Sequence, residues 1–146
     1  MLFIIDIQYY LNKFLKEACV LSLSPNAVAQ HFTFKADPPL HTLSAKDRKT
    51  VDYVHHHLGV IHWNEGQCNL KDFIHVFPGG AIVLCIGLEK SLFLTSLLPL
   101  CIIVNVNVSF SKLNHIHSTC PLGKQHSHCA WTRAHQLNAY LTTSTL

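Results

Sequence analysis

Charge is scarce in this chain. Asp, Glu, Lys and Arg make up 13% of its 146 residues, about half the usual share. With 49% hydrophobic residues, this is the reverse of a disordered composition, and a packed core or a membrane segment is expected. A formal net charge of +3 is too small to predict nucleic-acid binding by itself. No internal repeat or low-complexity tract interrupts the sequence. Nothing resembles a secretory leader, because the opening is apolar at once, has no basic residue and carries Asp6 within the run. The expectation is a single domain over residues 1–146 in a reducing intracellular setting, cytoplasmic or nuclear. There the six cysteines stay free, and those in apolar stretches (Cys19, Cys85, Cys101) act as small core groups.

One uncharged stretch, residues 91–108, is long enough to be tested as a membrane span. Pro99 divides it, and Val104, Val106 and Val108 alternate with Asn105 and Asn107. Period two is a strand signal, so a helix followed by a strand is expected, and membrane association is the weaker alternative. What the chain has in excess is histidine, twelve in all, which adds positive charge below about pH 6.5.

Along the chain, residues 2–10, 15–23 and 28–35 read as three strands with short connections, the pattern of an antiparallel meander. A helix follows from Lys46 to Leu58, with Ser44 as its cap, Asp47 three residues on and Gly59 as its stop. A short helix over 69–77 precedes Pro78-Gly79-Gly80. The apolar run Ala81–Ile86 reads as a strand covered on both faces. A helix over 89–98, a strand over 100–108 and a closing helix over 129–141 complete the order β-β-β-α-(α)-β-α-β-α. The polar connection at about 111–128 is rich in His and Cys.

Asp6 is the residue that this pattern does not explain. Between Ile4, Ile5 and Ile7 it sits in a strand expected to be buried, where an ionised carboxylate is costly without a cation, a metal or a hydrogen-bond donor. The element order is similar to the ribonuclease H-like fold: an α/β domain with a five-stranded mixed sheet, its first three strands antiparallel and helices on both faces. Asp6-Ile7-Gln8 resembles the Asp-x-Glu pair of the exonuclease branch of that fold. His128-Cys129-Ala130-Trp131-Thr132-Arg133-Ala134 resembles its closing His-x-Ala-x-x-Asp-Ala motif, and Glu89 stands nearest to its second acid. The resemblance implies Asp6, Gln8 and Glu89 as divalent-metal ligands for Mg²⁺ or Mn²⁺. It implies Asp6, Glu89 and His128 as catalytic groups, with His128 as general base. Gln8 brings no charge, and Arg133 replaces an acid by a base. The expected protein is therefore a domain without effective catalysis that retains nucleic-acid or protein binding and holds no metal. The alternative is an active metal-dependent 3'-5' exonuclease. Asp6 is then expected either to pair with Arg133 or with a lysine, Arg133 first, or to retain a single metal ion.

Cys120, His126, His128 and Cys129 form an alternative zinc set, although their spacing matches no common zinc module. His128 cannot serve both that set and the base role. His55-His56-His57 point in different directions from one helix and make no chelating face. His62 and Trp63 read as loop residues able to touch a partner. Tyr9, Tyr10, Phe32 and Phe34 suggest a stacking platform for bases, although alternation puts Phe32 and Phe34 together on the core face. Lys46, Arg48 and Lys49 cluster but are interrupted by Asp47 and Asp52. The stretches FIIDIQ, LKEACVL, HFTFKADPP, LSAKDRKTVDYVHHHLGVIHWNEG and HCAWTRA also resemble a group of insect and other arthropod proteins, which implies a link to mobile elements but no particular activity.

Overall fold

The computed structural model describes residues 1–23, 28–109, 113, 120–121 and 129–144. The elements run β1 (Leu2–Tyr10), β2 (Phe14–Ser22), β3 (Val28–Thr33), α1 (Ala45–Leu58), α2 (Leu70–Ile74), β4 (Ile82–Cys85), α3 (Leu88–Leu97), β5 (Ile102–Asn105) and α4 (Ala130–Ser144). The strands form one mixed sheet in the order β3-β2-β1-β4-β5. β1 pairs antiparallel with β2, and β2 with β3, whereas β1–β4 and β4–β5 are parallel. The parallel pair β4–β5 is bridged by α3, the crossover that parallel strands require.

Local chemistry accounts for the ends of these elements. The β1–β2 hairpin turns on Leu11 and Asn12, with φ of 54° and 57°, and the Lys13 N–H donates to the Tyr10 carbonyl at 3.1 Å. Two successive positive φ values with that bond define a type I′ turn, whose twist matches the strands it joins. The Ser44 hydroxyl accepts from the Asp47 N–H at 3.1 Å and Gly59 closes α1 in the left-handed region at φ 70°, both as the sequence indicates. Gly66 is required where the chain passes β3, since a Cβ there would lie 2.1 Å from the Phe34 carbonyl carbon.

Alternation along β1 divides the core. Phe3, Ile5 and Ile7 pack with Phe73 of α2 and Leu94 of α3. Ile4 packs on the opposite face with Ala130, Ala134 and Leu137 of α4, three residues on one stripe of that helix. A third cluster beyond the sheet end joins Tyr10, Val51 of α1, Val60 and Trp63. Within β2 the pattern is interrupted. Gln8 pairs with Glu17 but Tyr9 pairs with Leu15, so Lys16 is the extra residue of a β-bulge. The bulge lets Leu15 share a face with Ala18 and Val20, while Glu17 turns to the α4 side with Cys19 and Leu21.

Three expectations are corrected here. Trp63 is fully buried, and its indole N–H donates to the Pro38 carbonyl at 2.9 Å, so it is a core anchor and not a partner contact. Tyr10 is likewise buried and donates to the Ile61 carbonyl at 2.8 Å, which removes it from any stacking platform. The double cover expected of the Ala81–Ile86 run is narrowed: Ala81, Val83 and Cys85 pack on one face and Leu84 and Ile86 on the other, but Ile82 is exposed. Phe32 and Phe34 stack on each other against Phe73, as alternation requires. Residues 91–108 divide into the end of α3 and β5, and no helix among the described residues is long and apolar enough to cross a membrane.

Candidate functional site

Three of the buried polar residues, Asp6, Gln8 and Glu17, collect on the α4 side of the sheet. Strand register sets them in a row: Asp6 of β1 lies opposite Cys19 of β2, and Cys19 lies opposite His31 of β3. Directly opposed residues point to the same face, so these three share it with Gln8 and Glu17, which pair one step along.

Asp6 is 2% exposed. Its Oδ1 accepts a hydrogen bond from the Lys90 ammonium at 2.9 Å. Lys90 is the third residue of α3, just beyond β4, and reaches the adjacent strand from there. A cation in the first turn of a helix opposes the macrodipole, so the Asp6 carboxylate is what stabilises this placement. Burial pushes the Asp6 carboxyl above its ordinary range; the charge and hydrogen bond of Lys90, the charge of Arg133 and the Ile7 backbone hold it back. The counter-charge is therefore Lys90 first, with Arg133 acting through its field, which corrects the expected order. Asp6 Oδ2 is buried and has no hydrogen-bond partner among the described residues.

Glu89 precedes Lys90 on α3, and adjacent helical side chains diverge. Its side chain lines a groove of about 800 Å³ together with Tyr9, Lys13, Phe14, Lys35 and Phe93. Asp6 does not line that groove. Both acids act electrostatically on Tyr9, which burial, then Glu89, then Asp6 push upward. Glu89 also sits in the first turn of α3, where a carboxylate complements the dipole without any catalytic role. Gln8 is buried on the Asp6 face. His126 and His128 lie outside the described residues, so the base role and half of the sequence-based zinc set have no structural account.

Further along the same face, Glu17 Oε2 lies 2.9 Å from His31 Nε2, and Glu17 Oε1 accepts from the Ala130 N–H at the start of α4 at 3.1 Å. One ligand atom each from Glu17, His31 and Cys120 lies within 4.8 Å of the others. The Cys129 thiol is in hydrogen-bonding contact with Cys120; burial raises it to about 12 against a lowering by the Thr132 backbone, and the charge of Glu17 and the Cys120 contact add to the rise. Burial also raises the neighbouring Cys19 thiol, with Asp6, Cys129, Glu17 and Cys120 adding to the shift.

Sequence reasoning singled out Asp6, Cys120 and Cys129 but missed Lys90, Glu17 and His31. Glu17 had the same signal as Asp6, a carboxylate inside an apolar strand. Lys90 had none, since 84 positions separate it from Asp6. Comparison with known proteins finds no matching family model, no matching curated protein and no matching solved structure.

Proposed function

We propose that this chain is a ribonuclease H-like domain that binds without cleaving. The observation that carries this reading is the Lys90 ammonium 2.9 Å from Asp6 Oδ1. In the exonuclease branch that the sequence resembles, the first-strand acid holds a divalent cation. Here a resident positive charge takes up that oxygen. The strand order β3-β2-β1-β4-β5 and the central place of Asp6 support the fold side of the reading.

The residues present do not suit a Mg²⁺ or Mn²⁺ pair. Such ions are held by several carboxylates and neutralise developing negative charge. Asp6 is engaged by a lysine, Gln8 is neutral, and Glu89 turns into the groove. Any phosphodiester cleavage through these residues lacks its ligand set. Binding remains open to the groove, whose Lys13 and Lys35 are matched by Asp37 and Glu89. With the charges balanced, a ligand there would be held by shape and by Tyr9, Phe14 and Phe93 more than by counterion release.

The test is a cleavage assay on labelled single-stranded DNA and RNA with Mg²⁺ and with Mn²⁺. No product is expected with either metal, and Asp6→Asn leaves that unchanged. Metal-dependent product that disappears in Asp6→Asn would overturn the reading. One observation favours the active exonuclease instead, the buried Asp6 Oδ2 with no hydrogen-bond partner among the described residues; the same assay decides between them.

A further inference from the structure

The second polar cluster on the α4 face brings together four side chains whose chemistry is that of zinc ligation. Glu17 comes from β2, His31 from β3, Cys120 from the chain before α4, and Cys129 from the residue that leads into it. A carboxylate oxygen, an imidazole nitrogen and a thiol converge within 4.8 Å of one another, and a second thiol is in contact with the first. We propose that Glu17, His31, Cys120 and Cys129 form a structural zinc site that fastens the start of α4 to the sheet. It does not depend on the reading of the Asp6 pair, with which it shares no ligand.

The geometry suits a tetrahedral ion. Bonds of about 2.0–2.1 Å to nitrogen or oxygen and about 2.3 Å to sulfur put ligand atoms roughly 3.3–3.8 Å apart. The 2.9 Å between Glu17 and His31 and the 4.8 Å limit for the three bracket that range, so Glu17, His31 and Cys120 have to move by no more than about an ångström. Cys129 touches Cys120 but stands outside that group of three, and it has to swing inward to complete the tetrahedron. Thiolate with imidazole selects zinc over the hard cations that carboxylates alone would take. The surroundings also orient the ligands, as outer partners do in zinc sites. The Ala130 N–H holds Glu17 Oε1 at 3.1 Å, and the Trp131 ring packs edge-on to His31 at 6.1 Å. Glu17, Cys120 and Cys129 are buried, whereas His31 is partly open on the edge strand β3, which gives an ion a way in.

Binding displaces the two thiol protons, because zinc takes Cys as thiolate. The Cys120 and Cys129 sulfurs lose their protons to solvent, and neither is oxidised. The site differs from the sequence-based set by using Glu17 and His31 in place of His126 and His128.

The experiment uses the full chain, reduced and stripped of metal, titrated with Co²⁺ and then Zn²⁺. One equivalent of Co²⁺ is expected to release two protons and to give the intense visible bands of tetrahedral coordination and a thiolate charge-transfer band, both bleached when Zn²⁺ replaces Co²⁺ without further proton release. His31→Gln and Glu17→Gln are each expected to weaken Zn²⁺ binding by more than about 100-fold, beyond what loss of an outer partner costs, with a folded circular dichroism spectrum. Cys120→Ser is expected to remove half of the thiolate band. No stoichiometric metal uptake overturns the proposal. So does binding that survives both His31→Gln and Glu17→Gln but is lost in His126→Ala or His128→Ala. A Cys120–Cys129 disulfide that forms in reducing buffer without metal uptake overturns it as well.

Discussion

The two faces of the sheet are built from different chemistry. On the face covered by α2 and α3, Phe3, Ile5, Ile7, Val20 and Val83 meet Phe73, Phe77 and Leu94. On the face covered by α4, Ile4, Leu21, Ala134 and Leu137 share the interior with Asp6, Glu17, Lys90 and the thiols of Cys19, Cys120 and Cys129. The first face supplies free energy through apolar burial, which is nondirectional. The second requires particular partners at particular distances, because each buried charge there is costly unless matched. Stability therefore belongs mainly to one side and chemistry to the other.

The largest effect expected is on the apolar face. Phe73 is fully buried and packs edge-on to Phe32, Phe34 and Phe77. Phe73→Ala is expected to cost about 4 kcal/mol in urea unfolding, through lost burial and the cavity left behind, with little dependence on pH. A loss below about 1 kcal/mol there would remove the distinction between the faces.

The α4 face responds to pairing and to pH. Lys90→Met leaves the Asp6 carboxylate buried without its ion-pair partner and is expected to cost about 3 kcal/mol at neutral pH. Burial raises the Asp6 pKa above 3.8, and removing Lys90 takes away the largest opposing cause. The folded state then binds the proton more tightly than the unfolded chain, so this group's contribution falls as pH rises through the raised value and is relieved as pH drops. The loss in Lys90→Met should shrink on acidification, and Asp6→Asn added to Lys90→Met should recover most of it at pH 7. A loss that is independent of pH would show that Lys90 acts through packing alone.

Much of the frame was legible in the sequence. β1 falls where its apolar run puts it, and α1 starts and stops on Ser44 and Gly59, because strand alternation and helix caps are local signals. The end of the fifth strand was not: it closes at Asn105, three residues short of Val108, although the alternation continues. Lys16 shows why period alone fails. The bulge in β2 changes the parity, so Leu15 and Glu17, two residues apart, lie on opposite faces. The partner of Asp6 was not legible, since topology and not spacing brings α3 beside β1. Glu17 and His31 escaped notice for the same reason: strand register puts them on one face, where they meet cysteines about a hundred positions away.

The bulge itself makes a smaller prediction. Lys16 is fully buried, and its ammonium donates to the carbonyls of Trp63 at 2.8 Å and Glu65 at 2.6 Å. Burial lowers its pKa to about 8, against an upward pull from Glu65. Between about pH 8 and 10.5 the unfolded chain binds more protons at this lysine than the folded one, so its contribution to stability rises with pH. The thiols act in the opposite direction above pH 9, since burial raises Cys129. The difference between wild type and Lys16→Met isolates the lysine: that difference should grow in favour of wild type from pH 8 to 10. A constant difference across the range would show that the ammonium is not desolvated in the folded protein.

In the proposed ribonuclease H-like reading, the Lys90 ammonium 2.9 Å from Asp6 takes the place of a divalent cation. Mn²⁺ titration of the wild type, followed by the electron paramagnetic resonance signal of free Mn²⁺, measures this most directly. The account predicts no saturable uptake that depends on Asp6, so wild type and Asp6→Asn should give the same signal at every Mn²⁺ concentration. Saturable binding in the wild type that is lost in Asp6→Asn would contradict it.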